Sequence, residues 1–157
     1  MDDIGKLVSD ILTDFRKVAA LADAAFIADS ITVEIMRNPH RQPKSLPTGK
    51  MAVYAFFLSG QALKVGKAGP SSNARYTAQH YNPKSAGSNL ARSILANPAK
   101  VRVLGINASG IGDWIKGHTD RVNLLAPASL GEPMLSLLES FLHVRWKPVF
   151  EGRESDN

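Results

Sequence analysis

Side chains that could do chemistry are concentrated in one stretch of the chain and joined by a single carboxylate much later. Between residues 54 and 81 these side chains are Tyr54, Lys64, Lys67, Arg75 and His80. Glu139 follows in a segment that is otherwise mostly apolar. The set contains groups that can transfer a proton, bind an anion or hold a hard cation. Because a single tyrosine or arginine is usually a packing residue or a surface charge, only the elements that position these residues can make them a site.

A β-hairpin is expected to bring the tyrosine and the first lysine together. Residues 51–59 (MAVYAFFLS) are apolar and aromatic, which is typical of a strand. A turn at 60–61 leads to a shorter strand at 62–66 (ALKVG). Tyr54 lies on the first strand and Lys64 near the end of the second, so the phenol and the amine can meet across neighbouring strands.

Two helices are expected to carry the arginine and the glutamate. Ser71 or Ser72 is suited to cap a helix that includes Arg75 and ends near residue 80. A later helix, from near residue 129 and with a proline in its first turn, would carry Glu139 and end before Pro148.

The remaining segments predict the fold class. An apolar period of three and four residues indicates an amphipathic helix over 3–25. The other expected elements are a second helix from Asp29 or Ser30 to residue 36, a helix from Ser88 to residue 96, a third strand at 101–106 (VRVLGI), a short turn around Trp114 and a possible strand at 121–126 (RVNLLA). We therefore expect an α/β fold, with a small mixed or antiparallel three-stranded sheet flanked by helices and with extra N-terminal helices.

Composition limits the classes of protein to which the chain can belong. Its 157 residues suffice for one domain with one core. Lys plus Arg number 19 against 14 for Asp plus Glu, and the net charge of +5 favours a polyanionic partner without requiring one. The absence of cysteine excludes disulfides, thiolate metal sites and thiol nucleophiles. Neither a signal peptide nor an apolar run of about 18 residues is evident, so we expect a cytoplasmic protein with no membrane partner.

The order and spacing of the candidate residues resemble the GIY-YIG nuclease superfamily. Residues 53–54 (VY) correspond to the GIY element and residues 64–66 (KVG) to the YIG element. Arg75 corresponds to the family's arginine on the first helix after the hairpin, and Glu139, ahead of a proline-containing segment, to its metal-binding glutamate. The run KVGKA is similar to restriction-endonuclease members of the superfamily.

The resemblance covers residues 50–152 and departs from the family at two positions. Residues 1–49 would then be an N-terminal helical extension with a basic connector, and 153–157 a polar tail. Lys64 stands in the place of the second family tyrosine, as in restriction-enzyme members, and Glu151 stands where an asparagine is usual.

The resemblance implies a metal-dependent DNA endonuclease. Tyr54 would be the general base, with a pKa lowered by neighbouring cations, for which Lys64, Lys67 and Arg75 are the candidates. Arg75 would hold the scissile phosphate, and Glu139 would bind one Mg²⁺ or Mn²⁺ ion. The expected products carry a 5′-phosphate and a 3′-hydroxyl.

Several assignments around this set stay open. His80 is expected to hydrogen-bond Tyr54 or the attacking water, a role that Tyr76 or Tyr81 could fill instead. Glu132 is a rival metal ligand, although the first turn of a helix favours a carboxylate in any case. The residues expected to contribute to substrate binding are Lys67, Gly66, Tyr76 and Tyr81, with Gly66 allowing close approach of the backbone. Surface or packing roles are expected for His40, His118, His143, Trp114, Trp146 and Phe150.

Two other kinds of function compete with hydrolysis. A DNA-binding module with weak or no catalysis is suggested by the departures at Lys64 and Glu151, and a structural or protein-interaction domain would bind no DNA at all. The proline-rich basic segment 38–50 is either a solvated linker or a contact to the DNA backbone. The expected partner is DNA, and double-strand cutting would need a homodimer or two successive events.

Overall fold

A computed structural model describes residues 3–150 as a four-stranded antiparallel sheet with helices on both faces. The strands lie in the order β1, β4, β2, β3, so β1 and β3 are the edges of the sheet. The strands are β1 Thr32–Met36, β2 Lys50–Leu58, β3 Gln61–Ala68 and β4 Asp120–Pro127. The expected α/β class is confirmed, with four strands rather than three and with every pairing antiparallel.

Within residues 3–150, helices lie against both faces of this sheet. The α-helices are α1 Asp3–Leu21, α2 Ala25–Asp29, α3 Asn73–Thr77, α4 Leu90–Ala96, α5 Ile111–His118 and α6 Glu132–Trp146. Short 3-10 helices are formed by Gln79–Tyr81, Pro98–Val101 and Ala128–Leu130. Within residues 3–150, none of the helices has the length and apolar character needed to cross a bilayer.

The expected hairpin is confirmed, and it is formed by β2 and β3. Leu58 pairs with Gln61, so the connecting loop is Ser59 and Gly60, one residue earlier than expected. Both loop residues have positive φ, at 49° and 82°. This conformation is the one that two-residue hairpin loops favour, because its twist matches that of the strands.

One face of the sheet, which we call the apolar face, is covered by α1, α2 and α6. Alternate strand residues point into it, because successive side chains of a strand alternate between faces. These are Met51, Val53, Ala55 and Phe57 of β2, Val65 of β3, and Val122, Leu124 and Ala126 of β4. They pack against Ile4, Val8, Ile11 and Phe15 of α1 and Met134, Leu135, Leu138 and Leu142 of α6. The buried cluster on this face is entirely hydrophobic.

The opposite face, which we call the polar face, is covered by α3, α4 and α5. Its strand residues include Ala52, Tyr54 and Phe56 of β2 together with Arg121 and Asn123 of β4. Its helical side chains include Tyr76, Leu90, Ile94, Ile111 and Ile115. Arg121 and Asn123 are both 0% exposed, so this face buries charge and amide groups among its aromatic rings.

The second helix expected at residues 30–36 is wrong, because residues 32–36 form β1. This strand pairs with β4, from Thr32 opposite Leu125 to Met36 opposite Arg121. The β-branched residues in TVEIM favour a strand. Their partner lies far along the chain, and such long-range pairing overrides local helical periodicity.

The third strand expected at 101–106 is also wrong. Val101 ends a 3-10 helix, and Arg102 has φ of 55°, in the left-handed region, which interrupts any extended run. The position beside β2 is occupied by β4, which the sequence indicated only as a possible strand.

Helix ends differ from the sequence expectations by a few residues. The first helix ends at Leu21 rather than near residue 25, and a two-turn helix, α5, replaces the short turn expected around Trp114. Asn89 rather than Ser88 caps α4, because its Oδ1 accepts a 2.8 Å hydrogen bond from the Arg92 backbone N–H. The last helix is confirmed, with a proline in its first turn and its end before Pro148. Glu151 and the expected tail at 153–157 lie outside the described residues.

Candidate active site

Tyr54 is held across the edge strand by the absence of a side chain at Gly66. The two residues are paired in the β2–β3 ladder, and Tyr54 is 1% exposed. A Cβ atom built on Gly66 would lie 2.7 Å from the Tyr54 hydroxyl oxygen and 2.8 Å from the ring carbon that carries it. Only glycine leaves room for the phenol in this position. We expected Gly66 to allow a close approach of the backbone. The group that comes close to it is the Tyr54 side chain.

His80 contacts the Tyr54 hydroxyl and is itself fixed by the start of α4. Its Nε2 lies 2.6 Å from Tyr54 Oη, and its Nδ1 accepts a 3.1 Å hydrogen bond from the Leu90 backbone N–H. Since a backbone N–H can only donate, Nδ1 carries no proton, and the neutral ring must carry its proton on Nε2. His80 therefore donates to Tyr54 Oη.

Burial and neighbouring cations keep His80 neutral. Desolvation is the largest cause of its lowered pKa, and Lys64, Arg75 and Arg121 add to the effect, bringing the pKa to about 2. The imidazole is therefore a permanent hydrogen-bond donor to the phenol rather than an acceptor of its proton.

The pKa of Tyr54 is raised, which is opposite to the direction expected from its cationic neighbours. Burial is the largest cause and raises the pKa to about 12. Arg75 and Arg121 lower it as expected, and Arg75 does so partly through a hydrogen bond, but their combined effect is smaller than that of desolvation. In the protein alone, the expectation of a lowered phenol pKa is wrong because a 1% exposed side chain loses nearly all of its hydration.

Arg75 is anchored to the edge of the sheet. Its Nε donates a 2.9 Å hydrogen bond to the backbone carbonyl of Lys67 at the end of β3. The cation also influences the pKa values of both Tyr54 and His80, which means that it lies beside the phenol–imidazole pair. The Lys67 carbonyl and the hydrogen bond to Tyr54 together fix the orientation of its planar fork.

Lys67 connects this edge to α6 and its two glutamates. Its Nζ donates to Ser136 Oγ at 2.7 Å, lies 2.9 Å from Glu132 Oε1 and lies 3.9 Å from Glu139 Oε1. The Glu132 side chain is 62% exposed, whereas that of Glu139 is 21% exposed. Glu139 also makes the smallest of the contributions that shift the pKa of Tyr54, in the upward direction.

A divalent ion would have Glu139 as its protein ligand here. Within residues 3–150, no group of three or more His, Asp or Glu side chains is arranged to hold a metal. Mg²⁺ commonly takes one or two carboxylates and completes its shell with waters and substrate phosphate oxygens. A partly exposed carboxylate beside a tyrosine and an arginine fits that donor set, provided that the Lys67 ammonium moves off it.

Lys64 is buried on the polar face, two ladder positions from the Tyr54–Gly66 pair. It is 3% exposed and paired with Phe56, and its Nζ donates to Ser88 Oγ at 3.0 Å. Its charge lowers the pKa of His80. It is not among the groups that shift the pKa of Tyr54, so it acts on the imidazole more than on the phenol.

Tyr76 and Tyr81 lie in the core of the polar face. Both are buried, and the Tyr81 hydroxyl contacts His40 Nε2 at 2.9 Å and Arg121 Nη1 at 3.2 Å. His40 Nδ1 donates to the Thr119 carbonyl at 2.8 Å, so its Nε2 accepts from Tyr81 when the ring is neutral. These contacts occupy the Tyr81 hydroxyl, and it is His80 that contacts the Tyr54 hydroxyl.

Arg121 is a buried neighbour of the site that sequence reasoning missed. Its guanidinium carbon lies 4.9 to 5.2 Å from the ring centres of three aromatic residues, which are Tyr54, Phe56 and Tyr76. It donates to Asn123 Oδ1 at 2.8 Å and to the Tyr76 carbonyl at 2.6 Å. The available signal was the alternation in RVNLLA, which places an arginine and an asparagine on the same side of the strand.

Comparison with known proteins assigns no family to this chain. None of the protein-family models, curated proteins or solved structures compared with it matches significantly. A function must therefore be inferred from the contacts of the site itself.

Proposed function

We propose that this protein is a metal-dependent DNA endonuclease that hydrolyses phosphodiester bonds at the edge of its sheet. The observation that carries the proposal is the convergence of a phenol, a guanidinium and a carboxylate from β2, α3 and α6. Arg75 hydrogen-bonds Tyr54 and the carbonyl of Lys67, and the Lys67 ammonium lies 3.9 Å from Glu139 Oε1. These three group types match the needs of phosphodiester hydrolysis, which are a base, a phosphate clamp and a metal ligand.

Arg75 is the proposed phosphate clamp. The Lys67 carbonyl fixes its Nε, so the guanidinium plane is oriented before substrate arrives. Two parallel N–H groups can then hold the non-bridging oxygens of the scissile phosphate, where negative charge grows during attack. A lysine at this position would supply charge without that fork.

Tyr54 is the proposed general base, acting as the phenolate. His80 donates to Oη and stabilises the phenolate without competing for its proton, while Arg75 adds positive charge. The phenolate takes a proton from the attacking water, the water oxygen bonds to phosphorus, and the bond from phosphorus to the 3′-oxygen breaks. The departing 3′-oxygen takes a proton from solvent water, which yields the 5′-phosphate and 3′-hydroxyl.

Glu139 is the proposed ligand of one Mg²⁺ or Mn²⁺ ion. When bound, the ion would supply positive charge next to the phenol and the leaving oxygen, which offsets the burial that raises the pKa of Tyr54. Lys67 contacts Glu139 and Glu132 alike, and it can stay on the outer carboxylate when the inner one binds metal.

A matched pair of glutamate variants tests this assignment. We expect Glu139→Gln to reduce Mg²⁺-dependent nicking of supercoiled plasmid by about 100-fold or more, while Glu132→Gln stays within about threefold of wild type. Both substitutions remove a carboxylate that contacts Lys67. Glu132→Gln therefore serves as the control for the loss of an ion pair with Lys67. Equal losses in the two variants, or nicking that persists in EDTA, would refute the metal assignment.

A DNA-binding module without efficient cleavage is the second candidate. It is favoured by one observation, the pKa of about 12 for Tyr54, which leaves the phenol protonated at neutral pH in the protein alone. It predicts salt-dependent DNA affinity and no nicking by wild type with any divalent ion. In either case we propose DNA as the partner and the cytoplasm as the location, and double-strand cutting would require two copies or two successive events.

A further inference from the structure

A second cavity lies beside the turn of the β2–β3 hairpin, separate from the site described above. Its volume is about 560 Å³, within the range of small-molecule sites. Its walls include Leu58 and Gln61 of the hairpin, Lys100 and Arg102 of the segment after α4, and Trp114 and His118 of α5. None of these residues has a role in the proposed hydrolysis.

Two of the walls form a flat, preorganised aromatic surface. The rings of Trp114 and His118 are stacked, with centres 5.1 Å apart and planes 12° apart. His118 Nδ1 donates a 2.9 Å hydrogen bond to the Trp114 carbonyl, which fixes the imidazole against the indole. Trp114 is only partly buried and His118 is exposed, so part of this aromatic surface is open to solvent. Stacked rings at a cavity wall suit a planar ligand.

The neighbouring walls carry positive charge. Lys100 and Arg102 are both exposed, and Lys100 Nζ lies 5.9 Å above the ring of Phe150. Among the described residues that line the cavity there is no Asp or Glu. A ligand that combines a flat ring with an anionic group would therefore satisfy both parts of the lining.

The cavity and the candidate active site lie at opposite ends of the same edge strand. Gln61 begins β3 at the cavity, and Lys67 is near its end beside Arg75. At roughly 3.3 Å per residue, these two ends are about 20 Å apart. Between them, the Phe150 N–H donates to the Leu63 carbonyl at 2.9 Å, which brings the aromatic ring beneath Lys100 to the same edge.

We propose that this cavity binds one unpaired nucleotide of the DNA substrate, with its base stacked on the Trp114–His118 pair and its phosphate beside Arg102 and Lys100. The identification of the ligand as DNA rests on the proposed function. A base inside a duplex is already stacked on both sides, so the nucleotide must lie in a single-stranded or frayed segment.

Tryptophan fluorescence tests the stacking directly. The chain has two tryptophans, and Trp146 packs against Phe57 under the apolar face, so Trp146→Phe leaves Trp114 as the only reporter. We expect a single strand of about eight nucleotides, added in EDTA so that no cleavage occurs, to quench this fluorescence. A blunt duplex of the same sequence should quench it weakly. Unchanged fluorescence at saturating single strand, or equal quenching by the blunt duplex, would overturn the proposal.

Affinity measurements with a labelled strand test the charged wall. We expect Arg102→Asn, which suits the left-handed backbone, and Trp114→Ala each to weaken binding about tenfold. Lys6→Gln removes one charge from α1 on the other side of the sheet and should have little effect. Equal weakening by Lys6→Gln and Arg102→Asn would contradict a local site. Glu139→Gln should still show the fluorescence quenching, because the quenching is measured in EDTA and needs no metal. Quenching without nicking by wild type would therefore refute the nuclease proposal alone, and nicking without quenching would refute the nucleotide site alone.

Discussion

The two faces of the sheet bury their side chains in different ways. On the apolar face, Val122, Leu124 and Ala126 of β4 belong to a hydrophobic cluster with side chains of α1 and α6. On the polar face, the alternate residues Arg121 and Asn123 of the same strand are equally buried but are satisfied by hydrogen bonds. Within residues 3–150, no buried side-chain nitrogen or oxygen lacks a hydrogen-bond partner.

Because of this difference, the apolar face stabilises the fold, whereas the polar face positions the side chains of the candidate active site. Hydrophobic burial on the apolar face is non-directional and stabilises the fold roughly in proportion to the apolar area removed from water. Hydrogen-bonded burial on the polar face is directional, because each buried group must meet a partner. Arg121 illustrates the point, since its three hydrogen bonds hold a cation within 5.0 Å of the Tyr54 ring centre. A face built in this way fixes the orientation of a phenol that a purely apolar core would leave free.

The largest expected effect is on stability and comes from the apolar face. Phe15 is 0% exposed, and we expect Phe15→Ala to lower the free energy of unfolding by about 3–5 kcal/mol. The loss should appear in denaturant unfolding, while nicking per folded molecule stays close to wild type. A comparable loss of nicking in fully folded variant would show that the two faces are not separable in this way.

The next largest effect concerns the space that Gly66 leaves for Tyr54. In Gly66→Ala the new Cβ would overlap the phenol, so the ring must move, and we expect nicking to fall about 100-fold. Gly69→Ala is the matched control, because a Cβ there has no neighbour within 4 Å. Similar rates for the two alanine variants would mean that the position of the phenol does not limit the reaction.

A smaller effect should appear in the pH dependence of stability. His80 has a pKa near 2 in the folded chain against 6.5 as its ordinary value, so below pH 6.5 the unfolded chain takes up a proton that the folded chain cannot. The free energy of unfolding should therefore fall with decreasing pH below 6.5, by up to about 1.4 kcal/mol per pH unit for this group. Burial lowers the pKa of His40 as well, which adds to the loss with the same sign.

Denaturant unfolding of His80→Gln between pH 7 and pH 5 checks this linkage. The variant should show a shallower dependence on pH than wild type, because it lacks the group that takes up a proton only in the unfolded chain. If the slope of His80→Gln is unchanged, His80 is not the buried neutral group described above.

The sequence was sufficient for the local parts of this fold. The hairpin followed from the apolar strand before Gly60, and the end of α6 followed from Pro148. Tyr54, Arg75 and Glu139 were selected by order and spacing, and in the structure Arg75 hydrogen-bonds Tyr54 while Lys67 contacts both Arg75 and Glu139. The parts that failed depend on distant pairing or burial, because local periodicity contains neither.

Residues 32–36 and the pKa of Tyr54 illustrate that limit. The segment TVEIM forms β1 only because β4 lies beside it, with Thr32 opposite Leu125. The pKa of Tyr54 rises because desolvation exceeds the effect of two arginines, and the degree of burial is set by packing of the whole polar face. Arg121 was missed for the same reason, since a surface role is the ordinary expectation for an arginine.

The rate of Mg²⁺-dependent nicking by Tyr54→Phe, compared with wild type on the same supercoiled plasmid, tests the central claim most directly. Removing one hydroxyl oxygen deletes the proposed base and the acceptor of the His80 hydrogen bond while keeping the ring in place. We predict a loss of about 100-fold or more in rate, with the variant still folded in denaturant unfolding. Nicking by Tyr54→Phe at the wild-type rate, or no nicking by wild type, would contradict the claim.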